Sequence, residues 1–523
     1  MNLIQELLAL QESSGYLQDA DLEALSRRLR VPLAEIEAVT SYYPRLRRRP
    51  HKGRHRLAVC RDLSCKLRGG DAALRDLEAL SLRRGDVEFE SRSCLGRCDS
   101  APACSLDGKA MTAAHASHAL DSDAPESAAP ATAPASPTWR IDPYPDPSQR
   151  YGVLREALAA GRSSEICARL EASGLRGMGG AGFPTGRKWT LVAQQQATPK
   201  YVICNADESE PGSFKDRAIL AELPHLVIEG MALAALAVGA RSGWVFLRHE
   251  YAPEGRILSE ALEEARNAGV LGRGILGSDF DFDVEIFLSP GGYILGEETA
   301  LLEALEGRRG EPRVKPPFPV QSGLHGQPTL INNVETLAQT PYVLRNGSVD
   351  FKFFSVSGDV ERPGVLELPL GTPLQALIDG CGGMRDGRPL LAVLPGGASS
   401  AFLPADRVDT PLDWEPLREA GSALGSGGVV VVGEVVGEGA DLLDLAANLT
   451  AFFRNESCGK CVPCRLGTRK AVELIERNGA GDRALLAELH ETLVDTSLCG
   501  LGQVALVPLM SVLESFPRKL EEI

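Results

Sequence analysis

The feature that most constrains this chain is a group of cysteines near its C-terminal end. Three cysteines lie two residues apart within Ser457-Cys-Gly-Lys-Cys-Val-Pro-Cys464, and Cys499 follows after 34 intervening residues. Four thiolates with this spacing match a [4Fe–4S] cluster, in which three close cysteines and one distant cysteine each hold an iron. Zinc is the nearest alternative, although zinc sites more often use two separated Cys-x-x-Cys pairs. The sequence therefore predicts a [4Fe–4S] cluster held by Cys458, Cys461, Cys464 and Cys499.

A second set of cysteines lies in the first hundred residues, as the pairs Cys60-x4-Cys65 and Cys94-x3-Cys98. Two separated pairs are able to hold the two irons of a [2Fe–2S] cluster, one pair to each iron. A zinc site and a domain that has lost its cluster remain alternatives. A thiol oxidoreductase would need a reactive Cys-x-x-Cys, and the gap of the first pair is too long for that motif. We therefore predict a [2Fe–2S] cluster here.

Length and charge exclude several classes of protein. With 523 residues the chain is long enough for several domains, and its formal net charge of −15 argues against nucleic-acid binding, which needs clustered Lys and Arg. No stretch approaches the roughly 20 uninterrupted apolar residues of a membrane span, and the N-terminus has no secretory signal. We therefore expect a cytoplasmic protein whose 12 cysteines are reduced thiols or metal ligands.

The order of apolar patterns along the chain indicates a multi-domain α/β protein. An N-terminal part of 120 residues combines short helical patterns with a small α/β pattern, and a segment rich in Ala, Pro and Ser at 121–138 is predicted to be a linker. The larger part alternates buried strands with helices, then turns β-rich from Phe351 to about Leu403, and ends in helices. The strands are expected at Lys200–Asn205, Gly243–Leu247 and Phe282–Leu288.

A glycine-rich segment, Gly174–Gly186, is the third signal for chemistry. Its glycines let backbone amides approach a bound ligand closely, and Lys188 just beyond them is able to neutralise a phosphate. The spacing differs from the Rossmann fingerprint, so that fold is not predicted, and a plain turn is the simpler alternative.

Two further segments carry polar side chains at the ends of predicted strands. Pro290–Thr299 runs from a strand into a helix, where Glu297 and Glu298 would repel an anion but suit hydrogen bonds to a ribose or an amide. Helix capping is the simpler alternative for these two acids. In Cys204–Arg217 the acidic and amide side chains indicate polar contacts to a cofactor rather than a core; these residues are Asn205, Asp207, Glu208 and Glu210.

Taken together, these segments resemble the NADH-binding flavoprotein subunit of respiratory complex I and its soluble relatives. The matching stretches are Gly177–Gly186, Asn205–Glu208, Gly296–Thr299, Lys315–Phe318, Asn332–Asn333 and Ser457–Cys461. The resemblance implies that FMN contacts Gly177, Gly179, Gly180, Gly182, Lys188, Asn205, Asp207 and Asn332. It implies that NADH is lined by Glu208, Glu210, Glu298, Lys315 and Phe318, with the ring of Phe318 against the adenine. We assign Tyr293, Gly296, Glu297 and Asn333 to the same cofactor site.

The N-terminal part resembles the partner subunit that carries a [2Fe–2S] cluster on a thioredoxin-like domain. The resemblance includes Gly15-Tyr-Leu17, Val39-Thr-Ser-Tyr-Tyr43 and the four N-terminal cysteines. Fusion of the two subunits is known in NAD-dependent formate dehydrogenases and NAD-reducing hydrogenases. Two departures are Met178, where the family usually has Arg, and Leu295, where Cys is common.

The resemblance implies five regions. These are a helical and thioredoxin-like [2Fe–2S] domain (1–120), the linker (121–138), an FMN/NAD(H)-binding α/β domain (139–345), a ubiquitin-like β-grasp insert of the SLBB type (346–435) and a helical [4Fe–4S] domain (436–523).

The implied function is that of a diaphorase subunit of a larger complex. FMN accepts a hydride from NADH and releases electrons singly to iron–sulfur clusters, so no side chain need act as an acid or base, and Glu208 and Glu298 position the reactants. The expected partner is a molybdenum or tungsten formate dehydrogenase subunit, with a hydrogenase or a complex I-like assembly as the alternative. A flavin-free electron-transfer or assembly protein is a further alternative, which the intact glycine loop and Lys315–Phe318 disfavour.

Overall fold

A computed structural model describes residues 2–122, 139–144, 146–434, 441–478 and 481–516. The predicted linker at 121–138 lies outside these residues, except for two positions that end the helix Ala113–Ser122. The described chain forms two compact units. The first unit comprises Met1–Pro50, Ser136–Glu208 and Asp216–Asp350, and the second comprises His51–Ala135, Ser209–Lys215 and Phe351–Ile523. Because one compact unit is able to contain several domains, the five predicted boundaries stay predictions.

The first unit is built on a four-stranded parallel sheet. The strand order across it is Asp283–Leu288, Ser242–Leu247, Tyr201–Ala206, Thr329–Asn333. The central strand carries Val202, Ile203 and Cys204, all fully buried, as expected for a parallel strand covered on both faces. Parallel strands need crossover connections, and helices supply them here.

One helix, Pro224–Val238, forms the centre of the first unit. Twelve of its 15 residues are buried, and all but His225 and Glu229 are apolar or glycine, as in a core helix. It packs against Val334–Asn346 so closely that a Cβ at Gly230 would lie 2.0 Å from the carbonyl oxygen of Leu337. The other α-helices of this unit are Leu3–Ser14, Asp19–Leu29, Leu33–Tyr42, Gly152–Ala159, Ser163–Ala172, Thr185–Ala193, Lys215–Glu222 (from Asp216 onward), Ala252–Asn267, Glu298–Leu305 and Pro319–Ser322.

The second unit contains two sheets. In the smaller one, His55–Cys60 pairs in parallel with Val87–Arg92, and Ala103–Leu106 and Lys109–Thr112 continue it antiparallel. This sheet packs with the helices Gly70–Arg84 and Ala113–Ser122 around a core that includes Leu57, Val59 and Leu77. Two parallel strands followed by an antiparallel pair is the arrangement expected of the predicted thioredoxin-like domain.

The larger sheet of the second unit is mixed, as expected for a β-grasp domain. Its strand order is Gly364–Pro369, Phe351–Gly358, Gly428–Gly433, Leu390–Leu394, Leu403–Pro404. The central pair, Phe351–Gly358 and Gly428–Gly433, is parallel and buried along its whole length. The helices of this domain are Leu374–Gly380 and Trp414–Glu419.

The described C-terminal part of the second unit is helical. Its helices are Leu442–Glu456, Val462–Asn478, Arg483–Thr496, Gly500–Val504 and Val507–Ser515. Across the described residues of the whole chain, no single helix combines the length and apolar character of a membrane span. Among the described residues, one pair of consecutive helices, Lys215–Glu222 and Pro224–Val238, has the length and composition of a membrane span when the two are taken together, but the chain bends by 95° between them.

Candidate functional site

The carboxyl edge of the parallel sheet gathers several of the predicted cofactor residues. Asn205 lies beside Asn333 in the register of neighbouring strands, and Asn332 lies one position earlier, beside Cys204. Asp207 follows directly after the central strand. In open α/β sheets, ligands bind at this edge because the loops that leave parallel strands meet there. The structure therefore places these four predicted residues on one rim.

The glycine-rich segment folds into a closed loop beside this rim. The Gly177 N–H donates to the Phe183 carbonyl (2.9 Å), and the Thr185 N–H donates to the Leu175 carbonyl (2.8 Å). A Cβ added at Gly179 would lie 3.0 Å from the Cβ of Asn333, so the loop backbone approaches the rim as closely as glycine allows. Such a cradle of glycine amides fits the bound phosphate and ring of a flavin.

The loop is held by two side chains that sequence reasoning did not identify. The Met178 N–H donates to the hydroxyl of Thr336 (2.8 Å). The indole N–H of Trp189 donates to the amide oxygen of Asn332 (2.9 Å), and Trp189 is fully buried. A Trp shortly after the loop glycines was visible in the sequence, but nothing local indicated its distant partner.

The two predicted lysines meet the two adjacent acids of the Gly296–Thr299 segment. The Lys188 ammonium pairs with Glu298, and the Lys315 ammonium donates to Glu297 (2.6 Å). The other carboxylate oxygen of Glu297 accepts the N–H groups of Thr299 and Ala300, both at 2.9 Å. Glu297 is therefore a helix N-cap as well as an ion-pair partner, so helix capping is confirmed for Glu297, whereas the described contact of Glu298 is the ion pair with Lys188.

The same segment is tied back to the central strand. The side-chain amide of Asn205 donates to the Gly296 carbonyl (2.9 Å), and the hydroxyl of Ser289 donates to Asp207 (2.9 Å). A Cβ on Gly296 would lie 3.5 Å from the Asp207 carbonyl oxygen. The structure thus brings Lys188, Asn205, Asp207 and the Gly296–Glu298 segment into one connected polar site.

Glu208 is held inside the first unit by hydrogen bonds. Its carboxylate accepts the N–H groups of Asp216 and Arg217 (both 3.1 Å) and the hydroxyl of Tyr251 (3.0 Å), and only 8% of the residue is exposed. The side-chain amide of Asn333 donates to Asp216 (2.5 Å), which links Glu208 to the rim through the backbone of Asp216.

The remaining predicted nucleotide contacts lie in three places. Glu210 belongs to the second unit, where its carboxylate accepts the N–H (2.9 Å) and hydroxyl (2.5 Å) of Ser399. Tyr293 begins a single turn of 3-10 helix, Tyr293–Gly296. Phe318 is 51% exposed at the start of the helix Pro319–Ser322, which leaves its ring face open to stack on a base.

The four N-terminal cysteines converge in the second unit and are at most 5% exposed; they are Cys60, Cys65, Cys94 and Cys98. The sulfurs of Cys94 and Cys98 are 3.6 Å apart. Hydrogen bonds with Cys65 and Cys94, together with burial, raise the pKa of the Cys60 thiol well above its ordinary value. Cys104 instead packs into the domain core with Leu57. Four buried thiols form the donor set that a [2Fe–2S] cluster needs. Iron binding would displace their protons, since the thiolate is the ligand.

A short segment of the second unit covers two of these cysteines, and the sequence did not indicate it. Phe214 is fully buried against Cys94 and Cys98, and its N–H donates to the hydroxyl of Ser355 (2.9 Å). Phe214 therefore forms an apolar wall of the predicted cluster site.

The C-terminal cysteines gather where two helices begin. Cys464 lies in the first turn of Val462–Asn478, and Cys499 is the N-cap residue of Gly500–Val504. Burial raises the pKa of Cys464 to about 12; a hydrogen bond with Ser457 opposes this, and the neighbouring charges of Cys461, Cys499 and Cys458 add to it. Within the described ranges, no group of three His, Cys, Asp or Glu side chains is placed to hold a single metal ion. The all-thiol donor set is that of an iron–sulfur cluster.

Comparison with known protein families agrees with this division of sites. Residues 170–342 match the Nuo51 FMN-binding domain, and residues 444–523 match the NADH-ubiquinone oxidoreductase-F iron–sulfur binding region. Residues 1–121 match the thioredoxin-like [2Fe–2S] ferredoxin family, and residues 353–400 match the SLBB domain. The chain therefore has domains for FMN, a [4Fe–4S] cluster and a [2Fe–2S] cluster, as predicted.

Similar proteins include an NADH-quinone oxidoreductase subunit of Rhizobium meliloti (strain 1021), 44% identical over 70% of this chain and 90% of the relative. The NADP-reducing hydrogenase subunit HndC of Solidesulfovibrio fructosivorans is 42% identical over 68% of this chain and 76% of the relative. A solved structure of an NAD+-reducing [NiFe]-hydrogenase in the H2-reduced state contains a chain that this protein matches with a TM-score of 0.86. That chain is 30% identical, and the match covers 100% of this chain and 92% of the other. The protein therefore belongs to the family of NADH dehydrogenase-type flavoprotein subunits of NAD-linked complexes, in a form that also carries a thioredoxin-like [2Fe–2S] domain.

Proposed function

We propose that this chain is the diaphorase subunit of an NAD-linked redox complex. It exchanges a hydride between NAD(H) and FMN and passes single electrons through its two iron–sulfur clusters. The observation that carries the proposal is the connected polar site at the carboxyl edge of the parallel sheet. There the glycine loop, the two asparagine-bearing strands and the Lys188–Glu298 pair lie together.

The residues of this site are proposed to bind and orient the two cofactors. FMN supplies the step from a two-electron hydride to single electrons. The glycine loop and Lys188 hold the phosphate, while Asn205 and Asn332 offer amides to the flavin. Lys315 and Phe318 receive the nucleotide, the first by charge and the second by stacking. Glu208 and Glu298 act as positioning residues, since each already holds the backbone or the lysine around it.

The cysteines are proposed to hold the clusters that carry electrons away from FMN. The C-terminal set binds the [4Fe–4S] cluster, and the buried N-terminal set binds the [2Fe–2S] cluster. The wall formed by Phe214 limits the access of water to Cys94 and Cys98.

For the parent complex we propose an NAD-dependent formate dehydrogenase with a molybdenum or tungsten catalytic subunit in the cytoplasm. A hydrogenase is the second candidate, and one observation favours it: the chain of the NAD+-reducing [NiFe]-hydrogenase structure is similar along the full length of this protein. In both cases the substrate is oxidised on another subunit.

The cofactor content of the anaerobically purified chain tests the first proposal. One FMN, about six irons and EPR signals from two cluster types after NADH reduction are expected for one [4Fe–4S] and one [2Fe–2S] cluster. The chain should reduce ferricyanide with NADH and should not respond to formate alone. Cluster-containing protein without flavin would instead support the electron-transfer or assembly alternative.

Purification of the intact complex through a tag on this chain tests the second proposal. Formate-dependent reduction of NAD+, with molybdenum or tungsten in the preparation, would support the formate dehydrogenase. Hydrogen-dependent reduction of NAD+, with nickel in the preparation, would support the hydrogenase instead.

A further inference from the structure

The N-terminal helices of the first unit carry a sequence motif that the proposed function leaves unexplained. The motif Val39-Thr-Ser-Tyr-Tyr43 ends the helix Leu33–Tyr42, and its two tyrosines are adjacent. Both tyrosines donate hydrogen bonds to backbone carbonyls far along the chain. The hydroxyl of Tyr42 donates to the Gly310 carbonyl (2.9 Å), and the hydroxyl of Tyr43 donates to the Arg308 carbonyl (2.8 Å).

This tyrosine pair is packed as well as hydrogen-bonded. The two rings meet edge to face with centroids 4.8 Å apart, and Tyr43 is 1% exposed. The guanidinium of Arg309 lies over the ring of Tyr42 at 5.8 Å and donates to the Ala38 carbonyl (2.9 Å). Burial raises the pKa of Tyr43, so its phenol stays protonated and remains a donor. The three consecutive residues Arg308–Gly310 therefore all form hydrogen bonds with the helix Leu33–Tyr42 or its C-cap residue Tyr43.

Arg308–Gly310 begin a segment of irregular backbone. Residues 308–318, all of which the structure describes, form neither helix nor strand, so partners outside a backbone ladder must satisfy their polar groups. The tyrosine pair supplies two of these partners at the start of the segment. A Cβ at Gly310 would lie 2.2 Å from Leu295 and 3.3 Å from the Tyr43 hydroxyl, so this backbone is closely packed as well.

The far end of the segment carries the proposed nucleotide contacts. The Arg313 N–H donates to the hydroxyl of Thr299 (2.8 Å), and that hydroxyl donates to Glu297 (2.5 Å). Lys315 donates to the other oxygen of Glu297 (2.6 Å), and Phe318 lies exposed at the end. The path from the tyrosines to Phe318 is thus one continuous stretch, fixed at its start and joined to the site in its middle.

The N-terminal region also contacts the end of the strand Asp283–Leu288, which leads into the site. The side-chain amide of Gln5 donates to the Leu288 carbonyl (3.2 Å), and the Arg45 guanidinium donates to the Ser289 carbonyl (3.3 Å). These carbonyls immediately precede the Pro290–Thr299 segment. The side-chain amide of Asn2 donates to the Leu305 carbonyl (2.5 Å), at the end of the helix that Glu297 caps.

We propose that Tyr42 and Tyr43 are positioning residues for NAD(H), which hold the start of the 308–318 segment so that Lys315 and Phe318 face the nucleotide. This inference rests on the proposed function and adds to it a role for the N-terminal helices. A purely structural role predicts that loss of these hydrogen bonds lowers stability and leaves nucleotide affinity alone. A positioning role predicts that affinity for NADH falls while the chemical step is preserved, because the segment carries Lys315 and Phe318, the proposed nucleotide contacts.

The test is steady-state NADH:ferricyanide oxidoreduction by the full-length holoprotein with Tyr42→Phe, Tyr43→Phe and both changes together. Each substitution keeps the ring and removes one hydroxyl, and so leaves one carbonyl without its donor. The expected result is a KM for NADH raised about fivefold by each change and more by both, with kcat and the KM for ferricyanide unchanged. Tyr16→Phe is the matched control, since Tyr16 lies in the same helical region and should leave the KM for NADH as in the wild type.

FMN content, iron content and melting temperature are measured on every variant. An unchanged KM for NADH in the double variant overturns the proposal, whether or not its melting temperature falls. A fall in kcat at unchanged KM overturns it as well. Absence of NADH oxidation by the wild-type holoprotein would instead refute the proposed function, so the two failures are distinguishable.

Discussion

The backbone of Gly180 provides a direct test of the proposed flavin loop. Its φ is +129°, in a region that residues with a Cβ rarely adopt, and Gly182 in the same loop has a φ of +62°. Replacement of Gly180 by Ala therefore strains the native loop whatever space surrounds it. Strain at such a position costs about 1–3 kcal/mol. If the loop relaxes to escape this strain, the conformation that binds FMN becomes correspondingly less populated.

The expected loss of FMN affinity follows from this strain. A penalty of about 1–3 kcal/mol reduces the population of the binding conformation, and so the apparent affinity, by about 5- to 150-fold. Apoprotein titrated with FMN, with quenching of the flavin fluorescence as the signal, measures the dissociation constant directly. The ferricyanide activity of Gly180→Ala should recover as FMN is added in excess, because the change acts on binding rather than on the chemical step.

Gly364→Ala, in the strand Gly364–Pro369 of the β-grasp domain, is the control. A Cβ at Gly364 would meet no atom within 4 Å, and its φ is accessible to alanine. This variant should bind FMN as the wild type does, because Gly364 is not among the residues expected to contact FMN. Equal FMN affinity in Gly180→Ala and the wild type would refute the reasoning. A loss of FMN affinity in Gly364→Ala as large as that in Gly180→Ala would refute it as well. The iron content, which depends on the cysteines, should be the same in both variants.

Three further changes test other parts of the molecule. Phe318→Ala removes a stacking face worth about 1–3 kcal/mol, so the KM for NADH should rise at least about fivefold while Phe318→Tyr keeps the wild-type value; equal KM values would argue against stacking. Cys499→Ala should lose about four irons and the EPR signal of the [4Fe–4S] cluster, whereas Cys381→Ala, in the core of the β-grasp domain, should lose none. Burial raises the pKa of Glu229 to about 7 from 4.5, so its protonated form stabilises the fold fully below pH 4.5 and this contribution is lost as pH rises through 7. Thermal unfolding of Glu229→Gln should accordingly lack a decline of about 3 kcal/mol that the wild type shows between about pH 4.5 and pH 8.

The sequence predicted the elements whose signal is local. The strand predicted at Lys200–Asn205 is Tyr201–Ala206, and the one predicted at Gly243–Leu247 is Ser242–Leu247. Such runs of β-branched and aromatic residues between turn signals identify buried strands, and the ends shift by a residue because pairing with neighbours sets them. The helix expected to follow the Pro290–Thr299 segment begins within it, at Glu298, because the Glu297 carboxylate accepts the N–H groups of Thr299 and Ala300 in its first turn.

The parts that could not be predicted are contacts between residues distant in the chain. Nothing near Trp189 indicates that its indole binds Asn332, and nothing near Tyr42 indicates that its hydroxyl binds the Gly310 carbonyl. The burial of Glu208 is also not evident from the sequence, because a carboxylate at the end of a strand equally indicates a ligand contact. In the structure it accepts the N–H groups of Asp216 and Arg217. The Trp189–Asn332 and Tyr42–Gly310 contacts join residues 143 and 268 positions apart, so no local pattern indicates them, and the backbone contacts of Glu208 depend on the path of the loop that follows its strand.

The Glu297–Glu298 pair shows how the structure resolves a conflict that the sequence raised. Two acids at a helix N-terminus should repel the phosphates of a nucleotide. Glu297 uses one oxygen to cap that helix and the other to bind Lys315, while Glu298 pairs with Lys188. The helix end is therefore satisfied by its own residue and is not an anion site. In the proposed function, phosphate binding falls to the amides of the glycine loop and to Lys188 and Lys315, which the two acids hold in ion pairs. Under that proposal the acids orient the lysines, and this role would explain two acids at a site for anionic cofactors.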